Sequence, residues 1–143
     1  MTASTSTPAA PSYTSPFAGP ADDLEAIRQT VGHYDEGVRS GSVERLREAF
    51  HEQSQMCGYL GDTPMVTPIA GLYDFVASHD APAKSGEPTE ITLAAVQVSG
   101  NTATAEVVER AYMGHDFLTS FQLLKLDGRW WIVAKLFHGT PRE

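Results

Sequence analysis

Apolar side chains recur at helical spacing in the first third of the chain. They lie 3, 4, 3 and 4 residues apart, which places them on one face of a helix: Leu24, Ile27, Val31, Tyr34 and Val38. Asp22 and Glu25 match a capping box at the start of this helix, and Gly41 favours its end because glycine tolerates a left-handed backbone. The pattern therefore predicts a first helix that ends at Gly41.

Two further helices are predicted in the first half of the chain. The second has Ser42 as its N-cap and continues to Phe50. The third starts after Thr67, with Pro68 at its first position, where the missing N–H costs nothing. Between the second and third helices, residues 55–60 predict a short strand.

The apolar period changes to two residues from Thr89 onward, which indicates strands. Turn pairs divide this region at Gly100-Asn101, Gly114-His115 and Asp127-Gly128. They predict an antiparallel meander of four strands: Thr89–Ser99, Thr102–Met113, Asp116–Leu126 and Arg129–His138. Helices followed by a sheet predict an α+β fold, with a curved antiparallel sheet packed on three N-terminal helices.

Two-residue turns fix strand register, so the turns also predict which residues are cross-strand neighbours. One row should contain Thr92, Glu109, Ser120 and Lys135, and nearby rows on the same face should contain Gln122 and Trp131. The opposite face, with Phe121 and Ile132, is also mostly apolar. Because three helices cannot cover both faces, we expect a homodimer formed through the outer sheet face.

Length and composition indicate a single domain with an N-terminal tail. The 143 residues and 41% hydrophobic content fit one core. Residues 1–20 are rich in Ser, Thr, Ala and Pro, and predict a disordered, dispensable tail before a folded domain at residues 21–143. The net charge of −8 disfavours a nucleic-acid partner. No apolar run suits a signal peptide or a membrane span, so we expect a cytoplasmic protein without membrane contact.

Cysteine and histidine give no metal-site pattern. The single Cys57 excludes an intrachain disulfide framework and a Cys-based zinc cluster. The five histidines form no i, i+4 pair and no His-x-His pattern, so no metal or cofactor is expected. His51, just after the second helix, and Tyr59, on the short strand, are candidate ligand contacts.

Three segments carry a resemblance to a known superfamily: residues 34–41, residues 46–50 and the Asp127-Gly128-Arg129-Trp130 turn. Together they make residues 22–138 resemble the nuclear transport factor 2-like (NTF2-like) superfamily. The closing run, from residue 124 to His138, is most similar to the putative lumazine-binding, SnoaL-like group. The resemblance implies a cone whose concave sheet face and helices enclose a small-molecule pocket, commonly in a homodimer.

Ketosteroid isomerases, another branch of that superfamily, suggest roles for several positions. Tyr34 matches their oxyanion-hole tyrosine, but their general-base aspartate matches Gly58 and their second oxyanion-hole aspartate matches a position near Gln122. The missing base disfavours steroid isomerisation, and the missing carboxylate near Gln122 disfavours a polyketide cyclase. The comparison also implies that Trp131 and Phe137 point inward.

The inward row then supplies the candidate site. Glu109 and Lys135 are the expected acid and base, with Tyr34 as hydrogen-bond donor, although Glu109 and Lys135 could instead form a structural or solvated ion pair. The expected ligand contacts are Tyr34, His51, Tyr59, Thr92, Ser120, Gln122, Trp131 and Phe137.

Two functions remain open at this stage. One is a proton-transfer enzyme of the dehydratase, isomerase or cyclase type that acts on a small organic molecule. The other is a noncatalytic ligand-binding or dimeric accessory module. An open cavity with convergent titratable groups would favour the enzyme, whereas a cavity filled by bulky side chains would favour the module.

Overall fold

A computed structural model describes residues 15–143 of the chain. Within that range, four helices pack on one seven-stranded sheet with the strand order β1-β4-β5-β6-β7-β2-β3. The elements are β1 (Phe17–Ala18), α1 (Ala21–Ser40), α2 (Val43–Ala49), β2 (Phe50–Leu60), β3 (Thr63–Pro68), α3 (Ala70–Ser78), α4 (Pro82–Ser85), β4 (Glu90–Ser99), β5 (Thr102–Tyr112), β6 (His115–Leu126) and β7 (Arg129–Pro141). No helix of the described part is long and apolar enough to cross a membrane.

The first two helices agree closely with the sequence pattern. Helix α1 ends at Gly41, whose φ of 76° is the left-handed conformation that glycine favours. Helix α2 is capped by Ser42, which accepts a hydrogen bond from the backbone N–H of Arg45 at 3.2 Å. The predicted capping box at Asp22 is wrong, because α1 begins earlier, at Ala21, and no side chain caps it.

The third helix begins later than predicted. Thr67 and Pro68 close strand β3, which pairs with β2 in a hairpin that the sequence pattern did not indicate. Ile69 then donates its N–H to the carbonyl of Ser54 at 2.9 Å, and α3 starts at Ala70. Pairing with β2 therefore outweighs the helix-start preference of Pro68.

The four strands of the meander are confirmed as β4 to β7, but the sheet is not wholly antiparallel. Strand β2 runs parallel to β7, and β1 runs parallel to β4. The result is a curved, mixed sheet packed against the helices, with one continuous hydrophobic core between the two layers. The expected α+β cone is thus confirmed, with these two parallel pairs as a correction.

Cross-strand pairing follows the predicted register only near two of the turns. Val96 pairs with Ala105 and Leu124 pairs with Trp131, as predicted. The β5–β6 turn instead leaves Tyr112 opposite His115, one residue away from the prediction. An irregularity also shifts the register within each hairpin. These irregularities lie between Leu93 and Ala95 in β4–β5, between Glu109 and Tyr112 in β5–β6, and between Gln122 and Leu123 in β6–β7.

These shifts make one predicted row wrong, that of Thr92, Glu109, Ser120 and Lys135. Glu109 lies opposite Phe117 on β6. Lys135 lies opposite Phe121 on β6 and Met56 on β2. A bulge inserts one extra residue and changes the face on which later residues point, and the turn residues alone do not reveal it.

The shifts also change the predicted sheet faces. Phe121 and Ile132, expected on the outer face, are fully buried in the core. Trp131, expected inside, is only partly buried and alternates with buried neighbours on β7. Val133 has no partner on β6, and this bulge turns Lys135 inward.

The predicted tail boundary at residue 20 is too late. Residues 1–14 of that tail lie outside the described residues. Phe17 and Ala18, however, form β1 on the edge of the sheet, and the carbonyl of Pro16 accepts the N–H of Val96 at 2.7 Å. The guanidinium of Arg28 lies 5.2 Å from the centre of the Phe17 ring. The folded domain therefore includes residues that composition assigned to the tail.

Truncation tests this boundary. A chain that starts at Ala21 should melt about 3–8 °C lower than a chain that starts at Ser15, because it loses the β1–β4 hydrogen bonds and the contact of Phe17 with the core. Differential scanning calorimetry would measure the difference. Phe17→Ala in the longer chain should show part of the same decrease, and equal melting temperatures for the two chains would contradict a stabilising role for β1.

Candidate functional site

A buried carboxylate links the first helix to the sheet. Glu109 on β5 has only 1% of its surface exposed. Tyr34 on α1 donates its hydroxyl to both carboxylate oxygens, at 3.0 and 2.9 Å, and the Thr119 hydroxyl donates to Oε1 at 2.8 Å. These donors offset part of the cost of removing the carboxylate from water. Burial, then the negative charge of Glu109, raises the pKa of Tyr34 well above its usual value, so Tyr34 stays a neutral donor.

Lys135 approaches the same region from β7 and is 7% exposed. Its Nζ lies 5.1 Å from the centre of the Tyr34 ring and 5.3 Å from that of Phe137. Within residues 15–143, no ion pair joins this amine to a carboxylate. Burial lowers the pKa of Lys135, and the negative charge of Glu109 opposes that change in part.

Lys135 lines a cavity of about 430 Å³ between the helices and the concave sheet face. This volume lies in the range of small-molecule sites. The wall is mostly apolar, with large contributions from Met56, Leu72, Phe75, Phe117 and Phe137. His79 and His115 also line it, and the Nδ1 atoms of these histidines donate to the backbone carbonyls of Phe75 and Met113 at 2.8 and 2.9 Å.

Tyr112 adds a further polar residue to the cavity wall. The side chain is 5% exposed, and its hydroxyl has no hydrogen-bond partner in the described part of the chain. Burial, followed by the negative charges of Glu109 and Glu87, raises the pKa of Tyr112 well above that of an ordinary tyrosine. A buried hydroxyl without a partner costs free energy that a hydrogen bond from a ligand would recover.

An unusual backbone conformation accompanies the inward position of Tyr112. The preceding residue, Ala111, has a φ of 56°, in the left-handed region that alanine rarely adopts. Its N–H donates to the Asp116 carboxylate at 3.0 Å, and its carbonyl accepts the Thr89 hydroxyl at 2.6 Å. Those two bonds hold a bulge in which Glu109, Ala111 and Tyr112 are all buried.

A second concavity, of about 720 Å³, lies apart from the Lys135 cavity, and the two share no lining residue. It is lined by His51 and Trp131, together with two arginines. The guanidinium of Arg129 stacks 3.8 Å from the centre of the Trp131 ring, and that of Arg47 lies 4.7 Å from the centre of the Tyr73 ring. His51 and Trp131 therefore belong to a cleft separate from Lys135.

A family model described as putative lumazine-binding matches residues 22–138, which include every residue of the Lys135 cavity. The chain belongs to this putative lumazine-binding family. Its fold agrees with solved structures described as NTF2-like and cystatin-like. The suggested superfamily and group are both confirmed.

The chain is also similar to one curated protein and to several solved structures. The curated protein, named Aldolase FrzH, from Cladobotryum sp, is 28% identical over 123 residues, which are 85% of this chain and 95% of that protein. NTF2-like proteins of unknown function from Shewanella baltica and Methylobacillus flagellatus are 27% and 31% identical, each with a TM-score of 0.78. They cover 87% and 85% of this chain, and the match spans 98% and 95% of theirs.

The fold of this family member brings together four of the candidate residues. Tyr34 and Glu109 are hydrogen-bonded, and Lys135 and Phe137 line the cavity beside them. The expected ion pair between Glu109 and Lys135 does not form. Glu109 also lies behind the cavity wall rather than on it, so Lys135 is the titratable candidate that a ligand could reach.

The other candidates lie elsewhere. Thr92 and Gln122 are exposed on the outer sheet face, Ser120 donates to Glu106 there at 2.6 Å, and Tyr59 is 49% exposed. His51 and Trp131 lie in the separate cleft. The register shifts explain the outward positions of Thr92, Ser120 and Gln122, because a shift of one residue reverses the face of every later side chain.

Thr119 and Tyr112 are among the residues of this site that the sequence pattern missed. Thr119 was not selected, because the predicted register placed Ser120 beside Glu109. Tyr112 was not selected, because nothing in the local composition indicates the bulge at Ala111. The adjacent Gly114 marks a turn but does not locate the bulge.

The buried amine predicts a pH-dependent stability. The folded pKa of Lys135 is lower than its unfolded pKa, so the unfolded chain binds more protons and stability should rise with pH up to about 10.4. Lys135→Met should therefore be more stable than the native chain at pH 7, and this gain should shrink by pH 10. The difference is about 1.4 kcal/mol for each unit of pKa lowering.

Urea unfolding of both chains at pH 7 and pH 10 would measure the effect. The matched control is Lys84→Met, since the Lys84 side chain is 77% exposed and should show no comparable convergence. The informative quantity is the difference in unfolding free energy between the native chain and Lys135→Met. If this difference is the same at pH 7 and pH 10, Lys135 is not a buried titrating amine.

Proposed function

We propose that this protein is an enzyme that activates the carbon next to the carbonyl group of a small, mostly apolar molecule, as an aldol reaction requires. The observation that carries the proposal is the amine of Lys135 at the wall of an apolar cavity, without a carboxylate bound to it in the described part of the chain. An amine in that setting can accept a proton from a bound substrate or form a bond to it with its lone pair.

Tyr112 supports the same reaction class. Tyr112 is one of the lining residues, and its buried hydroxyl, which has no partner in the described residues, is the candidate donor to a carbonyl oxygen. Removing a proton from the α carbon places negative charge on that oxygen, and a fixed donor stabilises the charge as it develops. Because burial keeps Tyr112 protonated, the hydroxyl is available as a donor at neutral pH.

Glu109 acts in this proposal through its neighbours. It does not line the cavity, so it would not touch the substrate. Its carboxylate holds the hydroxyl of Tyr34, whose ring faces the amine of Lys135, and its charge favours the protonated form of that amine. Glu109 is therefore a positioning residue that also limits how far the pKa of Lys135 falls.

One relative supports the reaction class. The Cladobotryum protein, 28% identical over 123 residues, is named an aldolase. An aldol reaction joins the α carbon of one carbonyl compound to the carbonyl carbon of another. The name of that relative indicates a class of reaction and does not specify a substrate.

The alternative is a noncatalytic module that binds a metabolite in the same cavity. An open cavity of about 430 Å³ and an unpaired Tyr112 hydroxyl suit binding as well as catalysis. The alternative differs in requiring no reactive amine, so Lys135 could be replaced without loss of function. The deuterium-exchange experiment described next distinguishes the enzyme from the binding module.

Deuterium exchange tests the proposal. The protein is incubated in D2O with a panel of small ketones and aldehydes that includes cyclohexanone, and loss of the α-hydrogen signal is followed by NMR. We expect enzyme-dependent exchange that falls at least about 100-fold in Lys135→Met, the usual contribution of one acid–base group. Lys84→Met is the matched control and should retain the native rate.

Two results would overturn the catalytic proposal. One is exchange at the same rate in the native chain and Lys135→Met. The other is binding of panel compounds, seen as shifts of protein NMR signals, without any exchange, which would establish the binding module instead.

We also propose that a second copy of the chain covers part of the outer sheet face. Exposed apolar side chains lie there on neighbouring strands, with Val66 85%, Leu118 68% and Leu136 57% exposed. Val66 and Leu136 both lie opposite Cys57, on either side of β2, so an uncharged row crosses three strands. In a dimer with a two-fold axis, this row on one copy can pack against the same row on the other copy.

A charge in this row should break the dimer. We expect the native chain to have the mass of a dimer in light scattering at micromolar concentration, and Leu136→Asp to have the mass of a monomer with native circular dichroism. Thr104→Asp, exposed on the same face but outside the row, is the control and should stay dimeric. A monomeric native chain would contradict the proposal.

A further inference from the structure

We infer that Lys135 is a nucleophile that forms a covalent imine with the carbonyl carbon of a small apolar aldehyde or ketone. This inference rests on the function proposed above and names the group that activates the substrate. It is carried by the position of Nζ at the wall of an apolar cavity, next to aromatic rings and away from any ion-pair partner in the described part of the chain.

The three lysines of the chain differ in this respect. Lys84 forms an ion pair with Asp80 at 3.4 Å, and Lys125 forms one with Asp23 at 3.1 Å. In both pairs a carboxylate contacts the amine, whereas attack on a carbonyl carbon requires an amine with a free lone pair. Lys135 has no such partner within residues 15–143, and its amine faces the space in which a substrate would lie.

Burial has a chemical consequence for this amine. The pKa of Lys135 is lower than that of a lysine in water, chiefly because the charged form loses its hydration. Each unit of lowering gives about tenfold more neutral amine at a pH below both pKa values. The rings of Tyr34 and Phe137 attract the cation less strongly than a paired carboxylate would, so they oppose its deprotonation less.

The reaction balances without an added cofactor. The lone pair of the neutral amine forms a bond to the carbonyl carbon, and the carbonyl oxygen takes up a proton to give a carbinolamine. Loss of water from the carbinolamine leaves the imine, so the net change is amine plus carbonyl compound to imine plus water. The imine nitrogen takes up a proton to give an iminium, which loses a proton from its α carbon to water and becomes an enamine. The α carbon of the enamine then attacks the carbonyl carbon of the second compound, whose oxygen takes up a proton. Hydrolysis releases the product and restores the amine.

The cavity supplies two further conditions for the imine. Its mostly apolar wall offers few hydrogen bonds to water, which opposes premature hydrolysis. The hydroxyl of Tyr112, buried and without a partner in the described residues, can donate to the carbinolamine oxygen as that oxygen prepares to leave. The apolar wall comes from β2, α3, β6 and β7, and Tyr112 comes from β5.

Reductive trapping tests the inference on the full chain. The protein is incubated with cyclohexanone and sodium cyanoborohydride, which reduces an imine to a stable secondary amine, and the adduct is located by peptide mass spectrometry. We expect labelling of Lys135 to be at least about tenfold faster than labelling of Lys84 or Lys125, because burial lowers its pKa and so raises the fraction of neutral amine. The two other lysines serve as controls within the same molecule.

Variants and pH give independent readings. Lys135→Met should lose the fast-labelled adduct, whereas Lys84→Arg should keep it. The labelling rate of Lys135 should reach its plateau at a lower pH than that of Lys84. Both rates are measured on the native chain, so this comparison does not require any variant to fold. Equal labelling of the three lysines, or no adduct on Lys135, would overturn the inference.

The two proposals can fail separately. If α-hydrogen exchange depends on Lys135 but trapping gives no adduct there, the covalent inference is overturned and Lys135 acts as an acid–base group. If Lys135 is trapped selectively but no compound of the panel exchanges its α hydrogens, the reactive amine is supported and the proposed activity is overturned.

Discussion

The carboxylate of Glu109 lies in a core that water does not reach, and its need for hydrogen-bond donors fixes how α1 lies on the sheet. Tyr34 and Thr119 meet that need from the helix and from β6. Once the Tyr34 hydroxyl is held in this way, its ring forms the surface beside Lys135. The same ring makes edge contacts with Phe50 and Phe121, so one polar contact also positions the aromatic core. The candidate site is therefore built on the interaction that joins its two layers.

The architecture was largely predictable because it depends on periodicity and turn chemistry. Helix α1 ends where Gly41 permits a left-handed residue, α2 begins at Ser42, and the four strands of the meander lie between glycine-containing turns. The pairing of β3 with β2 was not predictable in the same way, because it depends on contacts between chain segments rather than on a local signal. It displaced the start of α3 from Pro68.

The site was only partly predictable, and the reason is the bulges. Tyr34 could be assigned from its helix face and from family resemblance, and neither assignment requires a register. Each cross-strand assignment assumed uninterrupted pairing. The bulges around Ala111 and Val133 break that assumption, and they bring Tyr112 and Lys135 to the same cavity. Irregular pairing, which a sequence pattern conceals, is thus what assembles the polar groups of the cavity.

Gly58 has a consequence for how this cavity could change during evolution. It lies on β2 opposite Phe137 of the parallel strand β7, and a Cβ atom there would collide with the backbone carbonyl of Phe137. Backbone in the middle of a sheet cannot move aside as a flexible side chain can. The position that resembles the general base of ketosteroid isomerases is therefore closed to every residue with a side chain. A carboxylate cannot be introduced there by one substitution, so a descendant that needed such a base would have to recruit it from another strand or first separate β2 from β7.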